Sequence, residues 1–119
     1  MASASDGHRH TIIGAVFRGY AAHFAALAGL DAGAALASDP GRRANASPEW
    51  RAAALVRAQA LYCTVTELNV NGARVARAIG MTRQAVSQAL RRIEDMRDDA
   101  AFDAALDAAA ALISGRVTC

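Results

Sequence analysis

Gln84, Ser87, Gln88 and Arg91 stand at i, i+3, i+4 and i+7, the spacing that lines side chains up along one face of an α-helix. Amides, a hydroxyl and a guanidinium in one row are suited to reading base edges. Glutamine bridges adenine through a donor and an acceptor, and arginine pairs bidentately with guanine. Arg83 precedes the row, and no acid interrupts it before Glu94. The first turns of a recognition helix reach deepest into the major groove, so Arg83, Gln84, Ser87, Gln88 and Arg91 are the expected base contacts. Arg74, Arg77, Thr82 and Arg92 flank them and are suited to phosphates, which set register without reading sequence.

Residues 72–96 contain what is needed to position that row as the second helix of a helix–turn–helix. Ala76 is the small residue required where two helices cross closely, and Gly80 supplies a turn position tolerant of positive φ. Val75, Ile79, Met81, Val86 and Leu90 lock the pair together, and Thr82 is placed to cap the second helix, read as 82–96. With Val86, Ala89, Leu90 and Ile93 facing inward, the polar row faces out.

The segment Gly80-Met81-Thr82-Arg83-Gln84-Ala85-Val86-Ser87-Gln88-Ala89 is similar to the recognition segment of the TrfB/KorA-type plasmid transcriptional repressors, which carries Gly-Leu-Thr-Arg-Gly-Ala-Val-Ser-Gln-Ala there. The resemblance implies an operator-binding dimer that represses transcription. It is confined to the helix–turn–helix, and Gln84 stands where the family has glycine. The family's strand-forming C-terminal dimerisation segment has no counterpart in the alanine-rich end of this chain.

Charge is distributed to match. The 119 residues carry a net +2, but residues 69–97 hold six arginines against Glu94 and Asp95, a local +4. Residues 98–119 hold Arg116 against four aspartates, a local −3. A basic block of this kind fits nucleic acid. Hydrophobic residues make up 54% of the chain, yet 32 of them are alanine, the best helix former and a small contributor of buried area. These figures predict one all-α domain of about five close-packed helices and disfavour a sandwich, a barrel or a large cofactor-bearing α/β enzyme.

Residues 1–9 read as a disordered leader and 10–119 as a single helical domain. Ile13, Val16, Phe17, Tyr20, Phe24 and Leu27 form one face of a first helix that Gly29 can end; Asp31–Ala37 adds a short helical turn. A loop with Arg42 and Arg43, which are either solvated or a further phosphate contact, leads to Ser47-Pro48-Glu49, a helix start. In the helix that follows, Trp50, Ala54, Ala58, Leu61, Val65 and Leu68 mark the buried stripe, with Arg51, Arg57, Gln59 and Glu67 toward solvent. A last helix over 98–114, capped by Asp98-Asp99, carries Phe102, Leu106, Ala109 and Ile113 at 4-3-4 spacing. That stripe either completes the chain's own core or forms a dimer contact, and dimerisation is slightly favoured because one helix–turn–helix reads few bases. Asp103 and Asp107 on its polar face would repel DNA.

Cys63 reads as a buried free thiol and Cys119 as an exposed end; two cysteines make no disulfide framework. His8-Arg9-His10 lacks a third metal ligand, His23 reads as half-buried, and no Cys/His spacing suits zinc. No nucleophile elbow, phosphate-binding glycine loop or paired carboxylates stand out, so no enzymatic activity, metal or cofactor is expected. Arg18, Tyr20 and His23 interrupt the apolar run Ile12–Leu30, and a cytoplasmic protein is expected. The resulting expectation is a homodimeric regulator, a repressor on a palindromic DNA operator, with no membrane and no small-molecule partner evident. The alternative is a helical interaction module, adaptor or antitoxin-like, that uses the same motif for protein contacts.

Overall fold

The computed structural model of the chain describes residues 4–37 and 47–118. Six helices lie among them: α1 (Ala4–Ala28), α2 (Ala32–Ala37), α3 (Pro48–Leu68), α4 (Gly72–Ile79), α5 (Arg83–Met96) and α6 (Ala100–Thr118). The described residues contain no strand. The chain is all-α, with five helices of eight residues or more and, at α2, the short turn of helix expected there. Arg42, Arg43 and Cys119 lie outside the described residues.

α1 and α3 share the most extensive helix–helix contact. Ile13, Phe17, Tyr20 and Phe24 are buried on α1, and Val56, Ala60, Leu61 and Cys63 on α3. Buried Ala21, Ala25, Ala53 and Ala60 let the backbones approach. By length and composition alone His10–Ala28 could cross a membrane, but its large apolar face belongs to this core. α1 also begins at Ala4, so the leader expected over 1–9 is helical from that residue on. Once a helix is nucleated, each further residue adds a hydrogen bond at little ordering cost, and no proline or cap stops it. At the other end Leu27, expected on the buried face, is 66% exposed. The chain reverses at Gly29 (φ +72°), where the Leu30 N–H donates to Ala25 O at 2.8 Å. This turns Leu30 toward the core in place of Leu27.

α3 starts as its sequence predicts. Ser47 Oγ accepts from the Trp50 N–H at 3.1 Å, with Pro48 in the first turn. It ends at Asn69, which is left-handed at φ 51°. Arg57, expected in solvent, is instead 6% exposed and donates from Nη1 to Ala35 O at 2.8 Å. The cause is that α3 packs against α1, α2, α4, α5 and α6 together. Its buried set (Ala53, Val56, Arg57, Ala58, Ala60, Leu61, Cys63, Thr64) is much wider than one stripe, and a buried guanidinium requires a partner. Glu67, also placed toward solvent, is half-buried and accepts from Tyr20 Oη at 3.5 Å. Cys63 is a buried free thiol as expected, and burial pushes it up to about 12.

α6 runs over Ala100–Thr118 rather than 98–114, continuing through Gly115. Asp99 caps it, its Oδ1 accepting from the Phe102 N–H at 2.9 Å. The stripe assigned to dimerisation faces the chain's own core: Leu106 and Ala109 are buried in it, and Phe102 and Ile113 are half-buried against it. α6 lies on α3 and α1, whose apolar surface would otherwise meet water, and completing that core uses the stripe.

Candidate nucleic-acid interface

The helix–turn–helix is α4, the turn Gly80-Met81-Thr82, and α5. Each end is fixed by a local hydrogen bond that the residue type dictates. Asn71 Oδ1 accepts from the Arg74 N–H at 2.8 Å and opens α4. Gly80, at φ +77°, closes it, and the N–H groups of Gly80 and Met81 both reach Ala76 O, the latter at 2.9 Å. A side chain at Gly80 would meet no other atom within 4 Å, so the requirement for glycine is conformational. Thr82 Oγ1 accepts from the Ala85 N–H at 3.1 Å and caps α5.

Val75, Ala76, Val86 and Ile93 are buried, and Ile79, Met81, Ala89 and Leu90 pack against them half-buried. The two helices meet closely at Gly72. A Cβ added there would lie 3.3 Å from Val86 Cγ1 and 3.5 Å from Leu90 Cδ1, so glycine lets the start of α4 sit against α5.

The buried side of α5 leaves the polar row outside. Arg83, Gln84, Ser87, Gln88, Arg91 and Arg92 are all exposed, as are Thr82 and Arg77, while Arg74 is half-buried. Arg83, Gln84 and Ser87 border an open bowl that Asn71, Gly72 and Ala73 complete from α4. Gln88 and Arg92 border a different groove, on the α3 side, beside Trp50 and Arg57. The row is therefore continuous in sequence, but its two flanks face different neighbours. Trp50 belongs beside Gln88, a proximity that no local spacing in the sequence could reveal.

Electrostatically the surface is open. Arg97 is ion-paired with Asp103 and, at 3.6 Å, with Asp107. Arg74, Arg77, Arg83, Arg91 and Arg92 form no ion pair among the described residues, leaving five arginines against Glu94 and Asp95 in this block. Arg97 is withdrawn from it. Nη1 donates to Tyr62 Oη at 2.6 Å, and the guanidinium carbon lies 5.5 Å from the centre of the Tyr62 ring. Its hydrogen bonds to Asp103 first, then to Tyr62, hold the guanidinium more firmly charged than an ordinary arginine. Asp103 and Asp107, expected to be a free acidic face, thus have an internal counterion.

Comparison of the chain with protein-family models, with curated proteins and with solved structures finds no match.

Proposed function

We propose that this protein is a sequence-specific, double-stranded DNA-binding regulator of transcription, a cytoplasmic repressor that acts as a homodimer with α5 in the major groove. One observation carries the reading. The N-terminal half of α5 presents Arg83, Gln84, Ser87 and Gln88 to solvent, with five arginines of the same motif unpaired by acids among the described residues. The resemblance of residues 80–89 to the TrfB/KorA-type recognition segment supports the same role. In this reading Arg83, Gln84, Ser87, Gln88 and Arg91 contact bases, and Arg74, Arg77, Thr82 and Arg92 hold phosphates. The Thr82 hydroxyl accepts the cap bond through oxygen and keeps its proton to donate.

A homodimer follows from the few base pairs that one recognition helix can read. Two-fold symmetry sets the helices about 34 Å apart on a palindromic site. The dimer contact lies elsewhere than on the buried stripe of α6.

Selection of bound sequences from a random DNA pool, followed by band shifts, tests the proposal. An enriched palindrome, binding that weakens steeply with salt, and two protomers per site are expected. Tight, salt-insensitive association with a protein, together with no DNA affinity at low salt, would favour the interaction-module alternative and sink the regulator.

A further inference from the structure

The groove on the α3 side of α5 has a chemistry of its own. It is an open groove with a volume of about 230 Å³. Ala54, Leu61 and Trp50 line it together with Arg57, Gln88 and Arg92, and none of the described lining residues is acidic. Arg57 is held against α2 by its bond to Ala35 O at 2.8 Å. Arg92 is exposed and forms no ion pair among the described residues. The exposed Arg92 guanidinium and the Gln88 amide beside an indole and an apolar wall are complementary to an anion with a flat apolar body. A ring packs against the indole, and a carboxylate accepts two parallel hydrogen bonds from a guanidinium. The volume lies below the roughly 300–1,000 Å³ of sites for drug-sized ligands, which suits an occupant of one or two rings.

We propose that this groove binds a small aromatic carboxylate, and that its occupation withdraws Gln88 and Arg92 from DNA. The binding step stands independently, whereas the regulatory step rests on the DNA-binding reading. Trp50 is the chain's single tryptophan, so its fluorescence reports on the groove directly.

Titration of the full chain with benzoate is expected to give a saturable fluorescence change. The neutral isostere benzamide and inorganic phosphate, which lack the charge and the ring respectively, should bind at least about tenfold more weakly. Arg92→Gln should weaken benzoate about tenfold, with partial recovery in Arg92→Lys. Ala54→Leu, which fills the wall, should abolish the response while circular dichroism and the DNA band shift persist. No saturable change with benzoate, an equal response to benzamide or phosphate, or unchanged affinity in both Arg92→Gln and Ala54→Leu would overturn the site. Benzoate binding that leaves a genuine band shift intact would overturn the coupling alone. Absence of any band shift without benzoate would sink the regulator and leave the groove standing.

Discussion

At its N-terminal end α5 is capped by Thr82 and turns Arg83, Gln84, Ser87 and Gln88 outward, with no ion pair among the described residues. At the residue that closes its C-terminal end, Arg97 is bound to Tyr62 of α3 and to Asp103 and Asp107 of α6. One sequence block of uniform basic composition therefore contains two kinds of arginine. The first kind forms no ion pair among the described residues. The second satisfies its donors within the fold and ties the end of α5 to its neighbours. Composition counts the two alike; only the identity of the nearby acids and hydroxyls separates them.

Each end can be tested against the other. The largest effect is expected where the anchored half meets the core. Ile93 is fully buried, and Ile93→Ala should cost about 2–5 kcal/mol of folding stability, read as a lower denaturant midpoint. A loss under 1 kcal/mol would show that this half is not held by the core.

At the open end, Arg83→Ala and Gln88→Ala should each cost roughly 1–3 kcal/mol of DNA affinity at the selected site. Their thermal midpoints should stay near that of the parent chain. A fall in midpoint without loss of DNA binding would reverse the assignment.

Gly80→Ala, at the turn that aims the open end, should destabilise by about 1–2 kcal/mol from backbone strain alone. A calorimetric melt that does not move would remove the left-handed turn from the account. Smallest is Arg97→Ala, which breaks half-exposed ion pairs of the kind that contribute modestly. Its melting temperature should fall slightly, and more at low salt than at high. The salt dependence of DNA binding should keep its slope, whereas a shallower slope would put Arg97 among the phosphate contacts.

Much of this fold is written in local signals. The caps at Ser47, Thr82 and Asp99, the stop at Gly29 and the turn at Gly80 each depend on residues within a few positions, and the structure has them all. So does the alternation that buries Val86 and Ile93 while exposing Gln84, Ser87, Gln88 and Arg91. The misreadings arise where a distant element decides. Arg57 is buried because α2 brings the Ala35 carbonyl to it. Leu27 is exposed because the reversal at Gly29 gives its place to Leu30. The α6 stripe is amphipathic for an internal reason that its spacing shares with any dimer face. The tie of Arg97 to Tyr62 spans 35 positions, and no periodicity signals it. For the candidate site, the outward row was legible, but its division between the α4 bowl and the α3 groove was not.

The alanines set one further property of the molecule, its response to random substitution. Among the buried hydrophobic residues described, Ala21, Ala25, Ala35, Ala53, Ala58, Ala60, Ala76 and Ala109 stand where helices touch. A side chain already reduced to a methyl group has little left to lose. Most replacements at these positions instead insert volume into a gap sized for that methyl, and overpacking typically costs about 1–3 kcal/mol. The chain is thus more fragile to enlargement than to truncation over much of its interior. Its tolerated variation should gather on outer faces, among them the outward row of α5, where a new side chain changes what is contacted without disturbing how the helices pack.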